Sequence, residues 1–224
     1  MSESASEGAG VDPLDGDPRL PVHFGAAWTA VEAFHDLLVR EGVLRGLVGP
    51  REVARLWERH LLNSAAVVPF LPPARRIVDL GSGAGLPGLI VAAMLPDAEV
   101  VLLEPMERRT DWLSEVVGTL ALSNAVVLRG RAEDIDDLGA DVVTARAVAS
   151  LDKLYRWAFP LLRIGGALVA LKGERAAAEV QAAAKAGREV GAGKVEILAA
   201  PTLEGLEPTT VVRVRRDREG RPRR

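Results

Sequence analysis

The sequence predicts a doubly wound α/β fold on a seven-stranded, mostly parallel sheet. Three observations predict it. Seven short apolar runs alternate with helical stretches after Pro72-Pro73, a glycine-rich turn follows the first run directly, and 224 residues suit one such domain with a helical extension. Strand and helix in alternation imply right-handed crossovers that cover both faces, with a ligand crevice beyond the strand carboxyl ends.

In order along the chain, residues 1–21 are small, acidic and punctuated by Gly and Pro, and read as a disordered tail. Residues 22–72 read as N-terminal helices. Phe24, Ala27, Trp28, Val31, Phe34, Leu37 and Leu38 fall on one face of a 3.6-residue period that ends near Gly42. A second helix begins at Gly49-Pro50 and puts Val53, Leu56, Trp57, His60 and Leu61 on one side. The domain proper spans 73–214. Its strand candidates are RRIVDLG (75–81), EVVLLE (99–104), NAVVLRG (124–130), DVVTAR (141–146), GALVALKG (166–173), KVEILAA (194–200) and TTVVRVRR (209–216). Leu86–Met94 and Arg109–Leu120 are helical connections, Ala176–Ala186 reads as an exposed helix, and 215–224 reads as a basic disordered tail. The four tryptophans, Trp28, Trp57, Trp112 and Trp157, read as core.

The formal net charge is −3, and there is no cysteine. That excludes disulfides, thiolate metal sites and a cysteine nucleophile. No run of about 18 uncharged apolar residues is present, and the N-terminus lacks a basic-then-apolar signal, so a cytoplasmic protein without a membrane span is expected. Charge is uneven: residues 1–20 carry five acids and one Arg, residues 213–224 seven Arg and two acids. Arg outnumbers Lys 24 to 4, and the guanidinium fork suits phosphate oxygens.

The sharpest motif is Asp79-Leu80-Gly81-Ser82-Gly83-Ala84-Gly85-Leu86-Pro87-Gly88, between a strand and a helix. Glycines let a backbone turn approach a ligand without an intervening Cβ. From Gly83 the string also satisfies G-x-G-x-x-G, so three readings stand: S-adenosylmethionine (SAM), a nicotinamide dinucleotide, or a structural turn without ligand. Asp79, at a position where dinucleotide-binding strands carry apolar residues, argues for SAM, since a carboxylate there repels a pyrophosphate. Glu104 ends the second strand, where it can accept from both ribose hydroxyls of either cofactor. Gly130-Arg131-Ala132-Glu133-Asp134 follows the third strand, so Ala132 and Glu133 are placed to meet an adenine.

Absent motifs narrow the reaction. Pyrimidine C5 methylation uses a cysteine adduct, amino-group methylation usually an [ND]-P-P-[FY] string, and neither is present. His23, His35 and His60 are dispersed, so no metal site is expected. A guanine N7 carries an unprotonated lone pair and needs no general base. Orientation alone can then supply about 7 to 11 kcal/mol of barrier lowering.

IVDLGSGAGLPG, Glu104 followed by Arg108-Arg109, GRAED, TARAVASL and ALKG occur in this order. Together they resemble the glucose-inhibited division protein B family, the small-subunit ribosomal RNA guanine-N7 methyltransferases of type G. The similarity runs from WERHLLNS (57–64) to the last strand and departs from many relatives at Asn63 and Glu104, where an Asp is common. The resemblance implies a class I SAM-dependent methyltransferase of Rossmann-like fold, acting on one guanine N7 in the decoding-region loop of 16S rRNA in the small ribosomal subunit; a monomer is expected separately. It implies cofactor contacts from Gly81, Leu86, Ala132 and Glu133, to which the motif reading adds Asp79, Gly83 and Glu104, and places Arg146 at the reaction pocket as a positioning group that touches cofactor or base. It further implies that Arg59, His60, Arg108, Arg109 and Lys172 face RNA. A small-molecule SAM-dependent methyltransferase and a non-catalytic SAM-binding interaction protein are the alternatives.

Overall fold

A computed structural model describes residues 11–135 and 137–220. The chain enters through α1 (Arg19–Phe24), a 3-10 turn (Gly25–Ala27) and α2 (Trp28–Glu41). Residues 11–21, expected within the disordered tail, are instead packed. Leu14 and Leu20 are buried, Asp12 accepts from the backbone N–H groups of Leu14 (3.0 Å) and Trp57 (2.9 Å), and Asp15 accepts from the Trp57 indole (2.9 Å). The acids that make this stretch look solvated are the acceptors that fasten it. Residues 1–10 and 221–224 lie outside the described residues.

The segment predicted as a second helix is helical throughout but changes pitch. A 3-10 stretch (Pro50–Arg55) passes into a π turn (Trp57–Leu62) and then a short α-helical turn, α3 (Asn63–Ala65). Val53, Leu56, Trp57 and Leu61 are buried as the periodicity requires. A π turn admits an extra residue and is common at functional sites. Here it carries Arg59 and His60.

The strands are β1 (Arg76–Leu80), β2 (Glu99–Glu104), β3 (Ala125–Arg129), β4 (Ala140–Arg146), β5 (Leu162–Lys172), β6 (Ala192–Ala200) and β7 (Thr209–Arg216). Their order is β3-β2-β1-β4-β5-β7-β6. The pairs from β3 to β5 are parallel, while β7 runs antiparallel between β5 and β6. Strand order reverses between β1 and β4, so the crevice opens at their carboxyl ends. Arg215 and Arg216, expected in a basic tail, belong to β7, and the Asp217 N–H then donates to Gly191 O (3.0 Å).

Helices α4 (Gly88–Met94) and α5 (Glu107–Thr119) share one core with the N-terminal helices and the Ile77 face of β1. Helices α6 (Leu151–Ala158) and α7 (Ala176–Val190) share the other with Val78 and Leu80. Burial of β1, β2 and β4 on both faces explains why their runs are apolar without alternation. The alanine-rich α7, expected to be exposed, buries Ala176, Ala183 and Ala186, because small side chains let it lie close to α6. Trp57 and Trp112 are core as expected; Trp28 and Trp157 are only partly buried. Among the described residues no helix is long and apolar enough to cross a membrane.

Candidate active site

Two cavities meet over the carboxyl ends of β1 and β4. The first, of about 440 Å³, is walled by Gly81, Gly83 and Leu86 of the glycine turn, by Glu104, by Ala132 and Glu133, and by Arg146. With Leu47 and Trp157 added, six separate sequence segments reduce to one concave surface. The turn is stitched to the end of β2: the N–H groups of Gly81 and Ser82 both donate to Leu103 O (2.8 and 3.1 Å), and Trp112 of α5 donates its indole N–H to Ala84 O (3.0 Å). Gly83 has φ +56°, in the left-handed region that favours glycine. At Gly88, a Cβ would lie 2.5 Å from Asp79 Oδ2, so only glycine allows α4 to approach β1 this closely.

Glu104 is 2% exposed, and both its oxygens are engaged: Oε2 accepts from the Gly83 N–H (2.9 Å) and Oε1 from the Met106 N–H (3.0 Å). A carboxylate offers about four lone-pair sites, so acceptor capacity remains for vicinal hydroxyls. The donor set and the glycine cradle fit a nucleoside: a fixed carboxylate for a ribose, backbone of the 131–134 turn and Met106 for a purine.

Asp79 stands apart from the other expected contacts. It is fully buried beneath the turn and does not wall the cavity; Oδ2 accepts from the Gly88 N–H (3.0 Å), and Oδ1 has no partner. Burial pushes its carboxyl up to about 7, so its charge cannot by itself distinguish a sulfonium ligand from a pyrophosphate. Its role is to hold the turn against α4. Where Asp79 was expected at the cofactor, the structure puts its side chain on the α4 side, beneath the turn and outside the cavity lining.

The second cavity, of about 620 Å³, shares Arg146, Ala147 and Val148 with the first, and adds Arg59, Asn63, Lys172, Arg175, Glu179 and Thr209 among others. Of the residues expected to face RNA, Arg59 and Lys172 line it, whereas His60 lies behind Arg146. Arg109 instead lines the first cavity, 3.8 Å from Glu104, and Arg108 is exposed on α5 and lines neither. Lys172 is largely spoken for: its ammonium donates to Ala149 O (2.7 Å) and to Glu179 (2.8 Å), which also accepts from the Leu151 N–H (3.1 Å). The pair clamps the loop that carries Val148 over Gly81. Sequence reasoning missed Glu179, Arg175, Leu47, Met106 and Trp157; only Met106, two residues after Glu104, had a local signal.

Arg146 forms the partition. Its guanidinium donates to Arg59 O (3.0 Å) and lies 3.1 Å from His60 Nδ1. Burial lowers its pKa to about 10, with Asp79 and Glu52 pulling the other way, so it remains a cation at neutral pH.

A model of the family described as rRNA small subunit methyltransferase G matches residues 28–201. The chain belongs to this family. It is 56% identical over 161 residues to the Ribosomal RNA small subunit methyltransferase G of Thermobifida fusca, covering 71% of this chain and 68% of the relative. It is 44% identical over 230 residues to the protein of that name from Mycolicibacterium paratuberculosis, covering 95% and 92%. Among solved structures, a predicted O-methyltransferase from Agrobacterium tumefaciens superposes with a TM-score of 0.58 at 22% identity, over 72% of this chain and 83% of that one. That likeness shows the fold alone. The family match includes both cavities up to β6, and the N-terminal helices that back Arg146 fall within it from Trp28 onward.

Proposed function

We propose that this chain is a SAM-dependent methyltransferase that modifies N7 of one guanine in the decoding-region loop of small-subunit 16S rRNA. The supporting observation is the pair of contiguous cavities, one fitted to a nucleoside and the other bordered by cations, joined at Arg146. Gly81, Gly83, Leu86, Glu104, Ala132 and Glu133 would hold the cofactor, which when bound supplies an electrophilic methyl group. Arg59 and Arg175 would meet phosphates. A purine N7 has a free in-plane lone pair, so no residue needs to take a proton before attack. The protein's task is placement.

Arg146 supports guanine over adenine. A guanidinium has five N–H donors and no acceptor, so beyond Arg59 O and His60 Nδ1 it keeps donors for a ligand. Guanine presents an acceptor at O6 where adenine presents a donor, and one N–H beside the transfer point therefore admits the first and rejects the second.

The experiment is incubation with SAM carrying a labelled methyl group and either small ribosomal subunits, free rRNA or a metabolite extract. Label in small-subunit rRNA, digesting to N7-methylguanosine, is the expected result. Label only in metabolites would move the assignment to a small-molecule methyltransferase, and cofactor binding without any transfer to a sensing protein.

A further inference from the structure

We infer that Glu52 is a positioning residue for Arg146: acting through His60, it fixes the imidazole tautomer that holds the guanidinium between the two cavities. The consequence for catalysis rests on the function proposed above; the tautomer itself does not.

The argument is one of donors and acceptors. Arg146 Nη2 lies 3.1 Å from His60 Nδ1, and a guanidinium can only donate, so Nδ1 must present its lone pair. A neutral imidazole with a bare Nδ1 carries its proton on Nε2. That atom lies 2.9 Å from Glu52 Oε2, which can only accept when ionised. The polarity of the chain from Arg146 through His60 to Glu52 is therefore set at both ends.

The neutral ring is also the one the surroundings favour. Burial and the Arg146 charge push the His60 pKa below its usual value, Arg59 on the same turn adds to this, and Glu52 from the preceding 3-10 stretch opposes it. Asp79, on the far side, acts on Arg146. Protonating His60 would place an N–H against the guanidinium and remove one of the two acceptors that hold it. Glu52, Arg59 and His60 all lie in the N-terminal helical segment, and Arg146 ends a strand of the sheet. The extension thereby completes a site that the sheet alone leaves unbraced.

The test uses the full chain, whose three histidines make ¹⁵N NMR of the side chains tractable. His60 should appear as the Nε2–H tautomer with an unprotonated Nδ1. Glu52→Gln keeps an acceptor oxygen but no charge, and Glu52→Ala keeps neither, so the His60 titration midpoint should fall in both. In methyl transfer at pH 8, kcat should drop about tenfold in Glu52→Ala and less than about threefold in Glu52→Gln, the loss expected for a misplaced rather than a missing group. The acid limb of the pH profile should move to lower pH in both variants. A merely structural role would lower Tm and leave the His60 midpoint and the acid limb in place. That result, or a wild-type His60 protonated on Nδ1, overturns the inference. Should the wild-type chain transfer no methyl to RNA, the proposed function fails, and the NMR arm still decides the role of Glu52; Glu52→Gln serves if Glu52→Ala does not fold.

Discussion

The two cavities at the crevice are built differently. The first takes most of its walls from the ends of β1, β2 and β3 and the turns that follow them, so those residues sit at fixed offsets from strands that their neighbours define, while Leu47, Trp157 and residues 146–148 close it. The second borrows Arg59 and Asn63 from the N-terminal segment, Lys172 and Arg175 from the end of β5, and Thr209 from β7. Its charges are partly consumed internally, as Lys172 shows. Position in a motif therefore identifies a ligand contact in the first cavity far better than a positive charge does in the second.

Glu104→Ala should give the largest effect, since it removes a buried acceptor and strands the N–H groups of Gly83 and Met106. With hydrogen bonds to charged groups at about 1.5 to 3 kcal/mol each, SAM affinity should fall by about 100-fold or more in calorimetry. Unchanged affinity would show that the first cavity is not organised around this carboxylate.

Arg146→Ala tests the partition. It should lower kcat about 100-fold, as a misplaced reacting pair does, while Tm changes little because the sheet core stays intact. A normal kcat in a folded variant would separate the two cavities functionally.

Asp79→Asn sharpens the distinction between a wall and its support. The folded-state pKa of about 7 lies above the reference value of 3.8, so the native state binds the proton more tightly than the unfolded chain. Its contribution is full below pH 4 and is lost as pH rises through 7, with a slope of at most about 1.4 kcal/mol per pH unit. Denaturant titrations across that window should show wild-type stability declining relative to Asp79→Asn, and SAM affinity similar in both.

The smallest effect separates the cations of the second cavity from one another. Arg175→Ala should reduce the salt dependence of RNA binding by about one counterion. Lys172→Met should leave that slope nearly unchanged and instead lower stability by about 1 to 3 kcal/mol, because Glu179 and Ala149 O lose their partner. Equal slopes for both variants would mean that Lys172 also grips phosphate.

Much of the first cavity was legible in the chain. The glycine turn and the Ala132-Glu133 pair each follow a recognisable strand, Glu104 ends one, and parallel pairing such as Leu80 with Leu103 brings those ends level. Asp79, expected at the cofactor, lies beneath the turn and outside the cavity lining, and an apolar run buried on both faces gives no sign of which side its acid takes. Residues 11–21 were misjudged because polarity resembles solvation unless the partner donor, here the Trp57 backbone and indole, is known.

By itself the sequence determined the strand count, the sheet's parallel half and the nucleoside-fitting turn, because these depend on periodicity and on spacing within a few residues. The tertiary structure alone decided which cations are free to meet a ligand, that the N-terminal segment braces Arg146, and that Asp79 is a buried acid. These depend on burial and on hydrogen-bond partners as many as 87 residues away, from Arg59 to Arg146, and a linear pattern carries no record of such contacts.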